Sequence, residues 1–136
     1  MYIEYKNFII SDEKDKLQFN NIVALLRTTY WAKNRAEETI KKSIDTSLCF
    51  GVFEIKTNQQ IGFARCATDF CTAYWLCDVV IDKEYRGLGL GKRLIEFIVE
   101  HDELKGLMGI LSSRDSQELY KKTGFKLSTS FMRRKP

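Results

Sequence analysis

Strand-like and helix-like periodicities follow one another along the whole chain without a repeat, linker or low-complexity tract, and the sole proline is the terminal Pro136. Such a pattern offers no place to divide, and 136 residues is the size of one domain with one core. Residues 1–136 are therefore read as a single domain. Tyr2–Ile10 reads as an opening strand before the polar turn Ser11-Asp12-Glu13. Phe19, Ile22, Val23, Leu26 and Tyr30 then recur at helical spacing, which predicts an amphipathic helix over residues 15–29. Asn34 followed by Glu37 resembles a capping box, opening a second helix with Ala36, Ile40 and Ile44 on one face.

From Leu48 the pattern turns to strands. Leu48–Ile55 and Gln60–Ala67 flank the turn Lys56-Thr57-Asn58-Gln59 and predict a β-hairpin, and Thr72–Ile81 forms a third, aromatic-rich strand. A glycine-rich loop leads into a helix that turns Leu90, Leu94, Ile95 and Ile98 to the core. Met108–Leu111 is a short buried strand. Ser113 or Asp115 can cap a short helix running through Lys122, with Gly124 as its left-handed stop. Phe125–Leu127 and Ser130–Arg133 read as closing strands. The order β-α-α-β-β-β-α-β-α-β is that of an α/β fold: a mixed, mostly antiparallel central sheet with helices on both faces.

Charge narrows the partners. Lys and Arg total 22 against 18 Asp and Glu, a net +4, and much of the surplus sits in the tail Arg133, Arg134 and Lys135. No basic stripe with interleaved aromatics is present, so no nucleic-acid partner is expected. The longest strictly apolar run, Ala73–Cys77, falls far short of the ~20 residues that a membrane span needs, so no membrane is expected either. The N-terminus lacks the basic-then-apolar order of a signal peptide. Cys49, Cys66, Cys71 and Cys77 form no C-x-x-C pair and read as buried thiols in a reducing compartment, the cytoplasm. The single histidine, His101, excludes a histidine-rich metal site, and no metal is expected. At a predicted helix C-terminus it reads as a complement to the helix dipole.

The densest chemical signal is Arg86-Gly87-Leu88-Gly89-Leu90-Gly91-Lys92-Arg93, set between a strand and a helix. Glycines there let backbone N–H groups approach a ligand, and the helix N-terminus adds unpaired donors. Lys92 and Arg93 fall in the first helical turn, where positive charge opposes the dipole; a bound anion such as pyrophosphate would repair that conflict. A Walker loop, G-x-x-x-x-G-K-S/T, is not met, because Gly87 and Gly91 stand too close and Arg93 replaces Ser/Thr. A dinucleotide fingerprint, G-x-G-x-x-G, fails because Lys92 stands where the third glycine belongs. The pattern R/Q-x-x-G-x-G/A is met in full by Arg86, Gly89 and Gly91.

That hexapeptide resembles the acetyl-coenzyme A pyrophosphate loop of the GNAT superfamily of N-acetyltransferases. Other segments resemble the same family in order. They are Tyr30-Trp31-Ala32-Lys33-Asn34-Arg35, Phe50-Gly51-Val52, Gly62-Phe63-Ala64-Arg65, Asp78-Val79-Val80-Ile81 and Leu119-Tyr120-Lys121-Lys122-Thr123-Gly124-Phe125, the last similar to the "LY-E-K-x-GF" signature. The likeness spans residues 29–125 and is nearest to a small bacterial-type branch. The chain departs from that branch at Ser113, where the family often has Asn. At Gln117 the branch tends to His, and at Lys83 a proline is common.

The resemblance implies strands splayed at the acetyl-CoA site and transfer of an acetyl group to a primary amine by direct attack on the thioester. By resemblance, Val79, Val80 and Ile81 would hold the pantetheine arm. Arg86, Gly87, Leu88, Gly89, Leu90, Gly91 and Lys92 would surround the pyrophosphate, with Ser113 and Tyr120 also on the cofactor. Tyr120 would donate to the departing thiolate. Asp78, expected to have a raised pKa through burial, is the foremost candidate base, ahead of Glu84 and Asp69; its structural reading is a bond to backbone or Arg65. Tyr30, Trp31 and Arg35 would line the pocket for a small-molecule or peptide amine. The alternative is a non-catalytic acetyl-CoA sensor or interaction module. The acceptor and the oligomeric state, a homodimer included, stay open.

Overall fold

The computed structural model describes residues 1–136. Ten regular elements build one six-stranded sheet flanked by helices: β1 (Tyr2–Tyr5), β2 (Phe8–Ser11), α1 (Phe19–Arg27), α2 (Glu37–Asp45), β3 (Leu48–Glu54), β4 (Gln60–Thr68), β5 (Ala73–Ile81), α3 (Leu90–Val99), β6 (Met108–Ile110) and α4 (Gln117–Lys121). The strands lie in sequence order, antiparallel from β1 to β5, with β6 parallel to β5. No helix is long and apolar enough to cross a membrane.

Alternation along the strands divides the core in two. On one face Phe8, Ile10, Phe50, Val52 and Leu76 pack against Leu90, Leu94, Phe97 and Ile98 of α3. On the other, Cys49, Phe63 and Val80 pack against Ile22, Leu25 and Leu26 of α1 and Ile40 and Ile44 of α2. Helix α3 shows why periodicity works here. Its apolar residues recur at helical spacing and Leu90, Leu94, Ile95 and Ile98 are all buried, as their spacing predicts.

Several boundaries differ from expectation. The opening strand is a hairpin that turns at Lys6-Asn7, with Lys6 left-handed at φ +53° and Tyr5 paired with Phe8. The helix expected over 15–29 is a 3-10 turn at Lys14–Lys16, an extended Leu17-Gln18, and then α1. Helix α2 starts at Glu37 with Ala36 as an exposed N-cap, so Asn34 lies outside it and no capping box forms; Glu37 and Glu38 complement the dipole instead. Helix α4 starts at Gln117 with Ser116 as N-cap, while Ser113 Oγ accepts the Ser116 N–H at 3.0 Å one turn earlier. Gly124 has φ +99° after that helix, as its stop requires. No closing strands form. The tail runs irregularly, and Phe131 lies against Trp75 with ring centroids 5.3 Å apart.

His101 does not sit in the last turn of α3. It is buried past the helix end, its Nε2 2.6 Å from Asp12 Oδ2 while its Nδ1 accepts the Glu103 N–H. The N-terminal ammonium reaches the other Asp12 oxygen at 2.9 Å. Of the cysteines, Cys49 and Cys66 are buried and Cys77 is half-buried, but Cys71 is exposed in the β4–β5 turn.

Candidate active site

Two irregularities in the sheet make the site. Strands β5 and β6 pair only from Ala73/Met108 to Trp75/Ile110, after which β5 runs on to Ile81 beside β4 but with no strand on its β6 side. The second is a bulge. Arg65 pairs with Cys77 and Phe63 with Val80, so Asp78 and Val79 together face the single residue Ala64, and Asp78 takes a left-handed φ of +56°. The strands thus diverge where the backbone of β5 is locally released from its ladder. A cavity of about 980 Å³ fills the wedge.

Every candidate cofactor-binding and acceptor-binding residue except Leu88 lines this one cavity, as does Asp78, the foremost candidate base: Tyr30, Trp31, Arg35, Asp78, Val79, Val80, Ile81, Arg86, Gly87, Gly89, Leu90, Gly91, Lys92, Ser113 and Tyr120. Glu84 and Asp69 do not line it. Asp69 instead closes the β4–β5 turn, accepting from the Thr72 hydroxyl and from the Thr72 and Cys71 amides, which holds its carboxyl well below the ordinary carboxylate range. The wall also includes Arg65, from the segment Gly62-Phe63-Ala64-Arg65, and residues with no motif to mark them, among them Trp75, Cys77, Arg114 and Arg133.

At one end of the wedge the loop before α3 presents amides. None of the N–H groups from Gly87 to Lys92 bonds to a backbone carbonyl. Gly87 and Gly89 are left-handed at φ +82° and +81°. The loop is held from a distance: Tyr5 Oη and Lys6 Nζ donate to the Leu88 carbonyl at 3.1 and 2.9 Å. A trans peptide then turns the Gly89 N–H the opposite way. A Cβ on Gly89 would lie 2.7 Å from Tyr5 Oη and push that side chain off the loop, so φ favours glycine here and the Tyr5 contact adds to it. Lys92 and Arg93 both reach Glu96, at 3.8 and 3.5 Å, which offsets part of their conflict with the helix dipole. This concave set of unengaged donors, with the exposed Lys92 beside it, suits a pyrophosphate.

At the other end, Asp78 gathers three donors. Its Oδ1 accepts from Trp31 Nε1 at 2.9 Å, and its Oδ2 accepts from Arg35 Nη1 at 2.8 Å and Arg65 Nε at 3.0 Å. The expectation of a raised pKa is corrected by this geometry. Burial does press upward, but the two guanidiniums outweigh it and hold the carboxyl below its ordinary 3.8. Trp31 is an exposed wall residue, not core, and stands edge-on to Tyr30 at 5.0 Å. The loop carrying both is shaped by Arg27, whose Nη1 donates to the carbonyls of Ala32, Lys33 and Arg35. Arg114 closes the opposite rim, its guanidinium 3.7 Å from the centre of the Tyr30 ring.

Between the two ends stands Tyr120, on α4, with its ring against Phe125 at 6.0 Å. Its hydroxyl is not sealed in the interior without a partner. Burial, with a smaller contribution from the Tyr30 phenol, pushes its pKa up to about 12. Cys77 is half-buried on the cavity wall, and burial holds its thiol above the ordinary 9.0.

The depressed carboxyls have a consequence for acid stability. Asp12 and Asp78 both titrate lower in the fold than the 3.8 of an unfolded chain. Their ionised forms therefore stabilise the protein fully above that value, and the contribution is lost as pH falls through the folded values. The urea midpoint should be flat from neutrality to about pH 5 and fall steeply below about pH 4. Asp78→Asn should flatten that fall; an unchanged acid slope in the variant would count against the ion pairs.

Residues 46–127 match the model of the acetyltransferase (GNAT) domain. An uncharacterized N-acetyltransferase of Prochlorococcus marinus is 34% identical over 94 residues, 67% of this chain, and the chain spans about half (52%) of that relative. A crystal structure of a GNAT-family protein from Xanthomonas campestris pv. campestris superposes with a TM-score of 0.88 at 33% identity, covering 95% of this chain and 93% of that one. A family member from Elizabethkingia anophelis, solved with acetyl-CoA bound, shares the fold at 15% identity with a TM-score of 0.70, over 91% of this chain and 79% of the other. The domain match and the nearly end-to-end likeness at 33% identity show that the chain belongs to the GNAT acetyltransferase family, whose acyl donor is acetyl-CoA.

Proposed function

We propose that the protein transfers the acetyl group of acetyl-CoA directly to a primary amine. The observation that carries this reading is the run of unengaged amides from Gly87 to Lys92 at the mouth of a wedge between two diverging strands. Acetyl-CoA supplies an acyl group activated as a thioester. The amides of Gly87–Lys92, with Arg86 and Lys92, bind the pyrophosphate, and Val79 to Ile81 offer the pantetheine arm a strand edge. The bulge at Asp78-Val79 releases backbone N–H there for charge developing on the thioester oxygen, a contribution commonly worth about 3 kcal/mol. Tyr120 donates a hydrogen bond to the sulfur as it leaves.

Asp78 is a positioning residue in this reading. With three donors on its two oxygens and a lowered pKa, it holds Arg35, Arg65 and Trp31 in place and is a poor proton acceptor at neutral pH. The proton of the incoming ammonium passes to water. Direct attack is favoured over an acyl-cysteine route because the only thiol on the cavity wall, Cys77, is held protonated by burial.

The test is acetyl-CoA-dependent release of free thiol by purified protein against a panel of amines. Tight acetyl-CoA binding with no thiol released from any amine would instead indicate a sensor. The cradle has its own test. Gly89→Glu combines a forbidden backbone conformation, a collision with Tyr5 Oη and a negative charge among the amides. Calorimetry should show acetyl-CoA affinity weakened by about 100-fold or more, two charge-assisted hydrogen bonds being enough for that loss. Unchanged affinity in a folded Gly89→Glu protein would place the pyrophosphate elsewhere.

A further inference from the structure

The acceptor end of the cavity carries more positive charge than its carboxylates balance. Arg35 and Arg65 share the single carboxylate of Asp78, and their side chains are only 23% and 16% exposed. Only Nη1 of Arg35 is engaged, and Arg65 uses Nε on Asp78 and Nη1 on Ser47, so each guanidinium keeps donors to spare. Arg133 adds a third cation with no ion-pair partner, brought to the cavity wall by Phe131 packing on Trp75. Arg114 lies on the rim but is neutralised by Asp115.

These groups are separate from the cations at the cofactor end. Arg65 pairs across the sheet with Cys77, before the bulge, whereas Arg86 belongs to the loop beyond Ile81 and Lys92 to the first turn of α3. A half-buried surplus of guanidinium is costly unless an anion completes it, and a planar fork with free N–H groups is shaped for a carboxylate or phosphate. Asp78 already holds three donors and its side chain is buried, so it offers little to an ammonium. Tyr30, Trp31 and Trp75 add an aromatic wall against which the carbon skeleton of a small amine can pack.

From this charge arrangement, and resting on the acetyltransferase reading above, we infer that the acceptor is a small amine that also carries an anionic group, a carboxylate or a phosphate, bound by Arg35, Arg65 and Arg133. The same surplus lowers the pKa of an ammonium entering beside it, which helps the amine bind in the neutral, nucleophilic form without a protein base.

Matched acceptors test this: phosphoethanolamine against ethanolamine, β-alanine against β-alaninamide, and 1,4-diaminobutane as a cationic control. The anionic member of a pair should have a kcat/KM about 10- to 100-fold above its neutral twin, the diamine the lowest, and the two pairs separate phosphate from carboxylate. Calorimetry on the coenzyme A complex should show the same order in affinity, weakening as salt rises. Arg133→Gln, an exposed substitution near the chain end, should shrink the anionic-over-neutral ratio by about 3- to 10-fold, chiefly through KM. Preference for the neutral twin or the diamine, or an unmoved ratio in Arg133→Gln, overturns the acceptor class and leaves the acetyltransferase standing. No thiol release and no calorimetric binding with any amine overturns the acetyltransferase reading and this inference with it.

Discussion

Asp78→Ala should lower the free energy of unfolding by about 3–5 kcal/mol, a large share of the ~5–15 kcal/mol typical of a domain. The carboxylate is almost wholly buried, and its removal leaves two guanidiniums facing each other with no counter-charge and the Trp31 indole N–H without its acceptor. Residual exposure of the arginines pulls the loss toward the lower figure. The backbone pulls it back, because alanine at φ +56° costs about 1 kcal/mol that aspartate and asparagine largely avoid. Asp78→Asn, which keeps the acceptor oxygen and the left-handed tolerance, should lose about half as much. Urea denaturation of both variants at neutral pH measures this, and a loss under 0.5 kcal/mol for Asp78→Ala (about the scatter of surface substitutions) would show that the triad is not a stability element.

Tyr120→Phe should reduce kcat by about 10- to 100-fold with acetyl-CoA affinity nearly intact. The raised pKa sets the mechanism and the magnitude. Full proton transfer from a phenol at about 12 to a thiolate whose acid lies near 8.5 is uphill by roughly 5 kcal/mol. The hydroxyl therefore works as a hydrogen-bond donor to developing negative charge, and solvent protonates the released thiolate. It also follows that Tyr120 stays protonated throughout the accessible alkaline range, so no falling limb in kcat near pH 10 should come from this residue. Wild-type turnover by Tyr120→Phe, with chemistry rate-limiting, would reduce it to a packing residue against Phe125.

Much of the fold was legible in order and type. Strand β5 and helix α3 were readable because each buries residues at the period of its own geometry, while β3 and β4, buried almost continuously, were readable as short apolar runs on either side of a turn. Boundaries failed where the controlling group was one residue or a distant one. The hairpin turn at Lys6-Asn7 has no glycine to announce it, and Lys6 takes up a positive φ that lysine rarely adopts. Periodicity makes the first helix too long because Asp15 and Lys16 suit a helix as well as a 3-10 turn, and the break at Gln18 depends on exchanges with Gln60. The closing strands were expected from β-prone residues, but the three-residue β6 offers them little edge, and Phe131 finds the Trp75 ring instead.

The site divides along the same line. The phosphate-type loop is a local object: glycines that permit φ near +80° and a helix start that leaves amides free are written within a few consecutive residues. What surrounds the loop is not local. Tyr5 and Lys6, which clamp it, lie 83 and 82 residues away in sequence, and the partners that set the charge of Asp78 lie 13, 43 and 47 residues away. Burial alone, which sequence patterning does convey, argued for a raised carboxyl pKa. Two arginines brought in by separate elements reversed the direction, because Coulomb energy depends on distance in space and the sequence carries only distance along the chain.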